Sequence, residues 1–359
     1  MPAVTPEDLI RPAIRALAAY HVPDARGLIK LDAMENPYGW PEELKAAWLE
    51  TLREVPLNRY PDSHATSLKE SLREFMAIPA SAGLILGNGS DELIQLVILA
   101  LAAPGRVVLA PEPSFVMYRM IASFAGMDFI GVPLREGDFS LDLAAVLEAM
   151  GHYRPAVVFI AYPNNPTGNR FAEGEVRQLI AAAPGLVVVD EAYFSFADHS
   201  FLASLPDYDN LLIMRTLSKM GLAGLRLGLL TGSPRWLDEF EKLRLPYNIN
   251  VLTQVSAEFA LRQPALLDEQ ARCIRADRDT LLRALQVLPG ITPFPSEANF
   301  ILFRTPAGAA ERLFAGLREA GILIKNVSGA GGLLRDCLRV TLGTPEENRT
   351  FLAALAAAL

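Results

Sequence analysis

At 359 residues, 51% hydrophobic and 21% charged, the chain is long enough to bury a full core and, on length, to hold two domains. A net charge of -8 with acidic and basic residues interleaved excludes a basic surface for nucleic acid or anionic lipid and points to small-molecule chemistry. Cys273 and Cys337 stand far apart with no nearby His, which excludes a disulfide framework and a zinc site and predicts no metal.

In chain order, the pattern predicts a helix over Pro6 to Ala19, an irregular segment holding Tyr20 and MENPYG, and a helix opening at Pro41. Glu7, Asp8, Arg11 and Arg15 interrupt the N-terminal apolar periodicity, unlike the core of a secretory leader. The longest strongly apolar stretch, Leu93 to Ala103, contains Gln95 and falls well short of the roughly 20 residues of a membrane span, so a soluble cytoplasmic protein is expected. From about residue 83, the apolar runs LILG, RVVLA, FIGVPL, AVVFIAYP, LVVVDEAY, LLIMRT and RLGLLTG alternate with helices from Ser90, Phe115, Leu141 and Glu173. Runs this short and continuous suit strands buried on both faces, and the intervening helices imply a mainly parallel sheet. After about residue 250 come a long helix from Asp268 to Leu288, NFILFRT, a helix, GILIKN, CLRVTLG and a closing helix from Glu346, which read as a smaller α+β unit.

Several polar residues punctuate this pattern. Gly87, Asn88, Gly89 and Ser90 lie between a strand and an apolar helix, where unpaired N–H groups suit an anion or plain capping. Asp91 and Glu92 follow them, so a bound phosphate needs an arginine to offset their charge. Asp190 ends LVVVD at the carboxyl edge of a strand, where open α/β sheets build their sites, and also suits capping. A buried carboxylate there can hold a heterocyclic nitrogen protonated, with Tyr193 and Asn165 placed to bond a ring oxygen. Phe115 is a candidate aromatic wall or a core residue. Arg339, inside an apolar strand, needs a carboxylate or phosphate partner from the protein or a ligand.

In order, GNGSDEL, PEPSF, YPNNPTG, VVVDEAY, TLSKMGLAGLRLG and CLRVTLGT resemble the fold-type I aminotransferases, which bind pyridoxal 5'-phosphate. LDAMENPYG, NRYPD and LRVTLGTPEEN are most similar to the histidinol-phosphate aminotransferases of histidine biosynthesis. The resemblance implies an α/β fold-type I architecture: a large domain (46–255) with a mainly parallel sheet sandwiched by helices, a smaller α+β domain (256–359), and an N-terminal arm (1–45) forming part of the small domain. It also implies that Lys219 holds the cofactor covalently and acts as general base, that Asp190 pairs with the ring nitrogen, and that Tyr193 and Asn165 hold the ring oxygen. Phe115 stacks on the ring on this reading. Gly89, Ser90, Asp91, Thr216, Ser218 and Arg226 bind the phosphate, Arg226 being the offsetting cation. Tyr60 reaches the phosphate of a partner subunit, which implies a homodimer with shared sites. Arg339, Tyr20, Asn36 and Lys325 bind substrate, with Lys325 standing where many members carry an arginine; the spacing from Lys219 to Arg226 is one residue shorter than the commoner form.

The expected reaction exchanges an amino group between histidinol phosphate with its imidazole-acetol counterpart and glutamate with 2-oxoglutarate. The alternatives are an aromatic amino-acid aminotransferase and a lyase of the threonine-phosphate decarboxylase type on the same fold. A cofactor-binding transcription regulator would need an added basic DNA-binding domain, for which the pattern leaves no room.

Overall fold

A computed structural model of the chain describes residues 4–19 and 22–359. Among these residues, thirteen strands form three sheets. Strands β2 (Gly83–Asn88), β3 (Val107–Glu112), β4 (Asp128–Pro133), β5 (Val157–Ala161), β6 (Leu186–Asp190), β7 (Leu211–Thr216) and β8 (Leu227–Gly232) build a seven-stranded sheet in the order β2-β8-β7-β6-β5-β3-β4. β1 (Ile29–Lys30) pairs in parallel with β11 (Ile322–Leu323), so the N-terminal arm joins the C-terminal part of the chain. The third sheet has β12 (Lys325–Asn326), β13 (Cys337–Thr341), β10 (Phe300–Arg304) and β9 (Thr292–Pro293) in that order, all antiparallel.

The continuous Val, Ile and Leu runs are two-faced. Val187 and Val189 of β6 enter one core, with Ile213 of β7 and the helices Thr66–Met76, Leu143–Tyr153 and Glu173–Ala182. Leu186 and Val188 enter another, with Met214 and the helices Ser90–Leu101, Met117–Ala125 and Pro234–Glu241. Successive side chains of a strand point to opposite faces, so a strand buried on both faces must be apolar at every position. A third core gathers Leu31, Phe300, Ile301, Leu338 and Phe351 around the small sheets.

All the strands of the large sheet run in one direction except β8, which is antiparallel to both neighbours. The link 217–226 is too short for the crossover of a dozen or more residues that a parallel return requires. The predicted helix over Pro6 to Ala19 is corrected to two short turns, Pro6–Leu9 and Pro12–Arg15. Pro12 lacks an N–H and forces Arg11 into an extended conformation (ψ 136°), which ends the first turn. The helices Thr66–Met76, Pro234–Glu241 and Val251–Leu261 were not expected from the pattern. The long helix runs over Pro264–Gln286, earlier than predicted, because Pro264 occupies its first turn. Among the described residues no helix is long and apolar enough to cross a membrane.

Candidate active site

Strand direction brings the polar punctuation of the sequence to one edge. The carboxyl ends of β2, β3, β5, β6 and β7 share that edge with the amino end of the reversed strand β8. In sheet order it carries the helix start at Ser90, Arg226, Thr216, Asp190, Asn165 and Phe115. These six line a cavity of about 250 Å³, together with Asp91, Tyr193, Ser218 and Lys219.

Close backbone approach shapes the β2 end of this cavity. Asn88 pairs with Leu227, so Arg226 lies beside the start of the helix Ser90–Leu101. Gly89 has a φ of +86°, and a Cβ there would sit 2.5 Å from Arg226 Nη2; a Cβ on Gly228 would sit 2.8 Å from Ser90 N. Both positions therefore require glycine. The two acidic residues of this turn separate. Glu92 accepts hydrogen bonds from the Asn88 N–H and, at 3.1 Å, from Asn248 Nδ2, while Asp91 stays 3.7 Å from Arg226 Nη2. Arg226 therefore stands beside the helix start and its acidic turn, and one of the two carboxylates is engaged elsewhere. On the β7 side, Thr216 Oγ1 lies 2.9 Å from Ser218 Oγ, and the Ser218 N–H donates to Thr216 Oγ1 at 3.1 Å.

Asp190 is buried at the end of β6. Its Oδ2 accepts from the Tyr118 hydroxyl at 2.6 Å and its Oδ1 from the Ala192 N–H at 3.1 Å. Burial raises its pKa to about 6, against these two bonds. Burial likewise pushes the Tyr193 phenol upward, with nearby Arg339 opposing, so Tyr193 stays a neutral donor. Lys219 Nζ donates to Ala33 O at 3.3 Å, and burial followed by the charge of Arg339 brings its amine down to about 8. Asn165 Oδ1 accepts from Arg339 Nη1 at 2.6 Å, and Arg339 Nη2 donates to Asp32 O at 2.8 Å. Arg339 thus ties the large sheet to the arm and to β13.

The remaining predicted residues lie around this cavity. Arg339 and Lys325, paired in register on β13 and β12, line an adjoining cavity of about 800 Å³ that shares Met34, Phe115 and Asn165 with the first. Asn36 bonds Gln270 and the Tyr38 N–H and lines a third cavity, about 860 Å³, that also reaches Lys219. Tyr60 lies outside these cavities; it is 80% exposed and stacks on Tyr247 at 4.5 Å. Tyr20 lies outside the described residues. Tyr118 was passed over in the sequence. Its only signal there is a polar-tipped aromatic three residues beyond Phe115, at the start of an apolar helix.

A buried carboxylate, a lysine near neutrality and an anion cradle on one α/β sheet edge suit a cofactor with a protonated heterocycle and a phosphate. The chain belongs to the aminotransferase class I and II family, whose model matches residues 26–355. Pyridoxal 5'-phosphate is the cofactor of that family. Histidinol-phosphate aminotransferase 2 of Nitrosococcus oceani is 64% identical over 97% of this chain and 96% of its own length. Histidinol-phosphate aminotransferase of Chromobacterium violaceum is 54% identical over 98% of both chains. The crystal structure of histidinol-phosphate aminotransferase from Sinorhizobium meliloti in complex with pyridoxal 5'-phosphate superposes with a TM-score of 0.87, at 25% identity over 97% of this chain and 96% of that one. The sequence sits among the histidinol-phosphate aminotransferases.

Proposed function

We propose that the chain transfers an amino group between histidinol phosphate with its imidazole-acetol counterpart and glutamate with 2-oxoglutarate, as a cytoplasmic step of histidine biosynthesis. The observation that carries this reading is the junction of two cavities: one holds Lys219 and Asp190, and the other holds Arg339 and Lys325 on neighbouring strands. When bound, pyridoxal 5'-phosphate supplies an electron sink for charge developing at the α-carbon of an amine substrate.

The side chains divide the work. Asp190, ionised above about pH 6, would hold a proton on the ring nitrogen. Tyr193 and Asn165 would bond the ring oxygen, and Phe115 would cover the ring face. The helix start at Gly89, Ser90 and Asp91, the hydroxyls of Thr216 and Ser218, and the Arg226 guanidinium would hold the phosphate. Lys219 would anchor the cofactor and, as a free amine, would serve as the base that takes the proton from the substrate α-carbon and returns it in the next step. An amine brought down to about 8 serves this task far better than an ordinary lysine, because a larger fraction is unprotonated at neutral pH. The Arg339 fork receives the glutamate carboxylate or the histidinol phosphate group. Lys325 adds a point charge, and Asn36 and Tyr20 complete the substrate side.

We read 46–255 as the cofactor domain and 256–359 with the arm 1–45 as the small domain, a division that the β1 and β11 pairing supports. The active form on this reading is a homodimer in which Tyr60 serves the partner's phosphate. Exposed Tyr60 and Tyr247, with Leu57 and Leu245 of the same segments each 71% exposed, support it. Mixing Tyr60→Ala with Lys219→Ala subunits should then regain activity through hybrid dimers. No recovery would place Tyr60 in its own chain's site or in none.

A coupled assay with histidinol phosphate and 2-oxoglutarate tests the reaction itself. Turnover well above that with phenylalanine is expected. Faster turnover of phenylalanine would move the assignment to aromatic amino acids. Carbon dioxide release from an amino-acid phosphate without 2-oxoglutarate would move it to a lyase.

A further inference from the structure

We propose that Tyr118 is a positioning residue of the reaction: by donating its hydroxyl to Asp190 it fixes the orientation of that carboxylate and keeps it charged toward the cavity. The proposal rests on the reading of Asp190 as partner of the cofactor ring nitrogen. It extends that reading to a side chain outside the cavity lining.

Geometry carries it. Tyr118 is fully buried in the first turn of the helix Met117–Ala125, and its hydroxyl lies 2.6 Å from Asp190 Oδ2. Its ring stacks on Phe159 of β5, with centroids 4.7 Å apart and planes 12° apart, and meets Phe115 edge-on at 5.6 Å. Helix, strand and neighbouring ring together leave the hydroxyl little freedom. With the Ala192 N–H on Oδ1, two donors from different elements hold the carboxylate. A carboxylate accepts at about four positions, so two held by the protein leave capacity for a ring N–H in the cavity.

Charge is the second part. A neutral acid at this position could not stabilise a protonated ring, and burial alone drives Asp190 toward the neutral form. The bond from Tyr118 is the largest influence working the other way, ahead of the Ala192 N–H. Asp91 on the helix Ser90–Leu101 and Glu191 next in the chain add to the pressure for protonation. Glu191 is itself paired with Arg215 at 2.8 Å. Tyr193 faces Asp190 from the following turn, and Lys219 and Arg226 share the cavity. Burial and the Asp190 charge hold the Tyr118 phenol well above its usual range, so it remains a donor.

Tyr118→Phe keeps both ring contacts and removes only the donor. In the cofactor-free protein, a carboxyl carbon NMR titration should place Asp190 at a higher pH than in the wild type. In the loaded enzyme the acid limb of kcat should move up by about one pH unit, with the KM for glutamate changed less than about twofold. A 3-fluorotyrosine at position 118, a stronger donor of nearly the same shape, should move both readings the opposite way. An Asp190 titration and acid limb that match the wild type in Tyr118→Phe would overturn the proposal. So would a rate lowered equally at every pH, which is what a packing role alone produces. Should Tyr118→Phe fail to fold, the fluorotyrosine protein carries the test, and the absence of a downward shift there sinks it. Asp190→Asn separates the two readings. Full activity in that variant removes Asp190 from the chemistry, whereas the cofactor-free titration still reports on Tyr118.

Discussion

The cavity of about 250 Å³ at the sheet edge and the cavity of about 800 Å³ beside it share Met34, Phe115 and Asn165, yet they are assembled from different parts of the chain. The smaller one takes its groups from the ends of buried strands and from a helix start, so Asp190, Tyr193, Thr216 and Ser218 are buried there, while Arg226 keeps half of its side chain exposed. The larger one takes Arg339 and Lys325 from the small sheet, and part of its wall is the segment 329–334, where Gly331 and Gly332 have φ values of +67° and +54°. Burial in the first moves Asp190 up to about 6 and Lys219 down to about 8, which brings an acid and a base toward neutrality. The second offers charge and open shape. On the proposed function, chemistry belongs to the first and substrate choice to the second, with Arg339 bonded to Asn165 as the link.

If that division holds, variants in the smaller cavity lower the rate and variants in the larger one change substrate affinity. Lys219→Ala should remove the visible absorbance of the covalently held cofactor and lower transamination by about 10⁴-fold or more, read by spectrum and steady-state rate. Asp190→Asn should keep the cofactor bound and lower kcat by about 10²- to 10³-fold, since it deletes a charge aimed at the reacting system. Arg339→Lys should lower kcat/KM by about 10²-fold for both glutamate and histidinol phosphate, because an ammonium cannot reproduce a fork that bonds Asn165 and Asp32 O. Lys325→Ala should raise the KM for histidinol phosphate by about tenfold and leave that for glutamate nearly unchanged. Equal effects on both substrates would erase its separate role.

The acidity of Lys219 provides a further, pH-based test. The free amine is the form that bonds the cofactor, and a lowered value means that this form persists down to about pH 8. Cofactor uptake by the cofactor-free protein should rise about tenfold per pH unit below 8 and level off above it. A lysine at its ordinary 10.5 would show uptake that keeps rising well past that point.

Much of this was legible in the chain. The short Val, Ile and Leu runs announced strands buried on both faces, and Asp190 at the end of one announced a carboxylate at the sheet edge. The spacing of Lys219 and Arg226 placed both in one loop, and the loop's shortness is what reverses β8 and sets Arg226 beside Gly89. Other features were hidden. The helix Thr66–Met76 follows a segment dense in Asn, Pro and Asp, and its core-facing Leu68, Leu72 and Met76 gain meaning only against the sheet. Glu92 is held by the Asn88 N–H within its own turn and also by Asn248, far along the chain, a contact no local pattern announces.

By itself the sequence determined the strands of the large sheet and the polar residues that end them, because burial on both faces and turn composition are local constraints that each segment must satisfy alone. The two-residue strands Ile29–Lys30 and Thr292–Pro293 carry no such pattern. Only the tertiary structure decided that Tyr118, 72 positions before Asp190, donates to it, and that Arg339, 174 positions beyond Asn165, reaches across to it. Those contacts arise from sheet order and strand direction, and sheet order is a property of the whole packed chain that no single segment encodes.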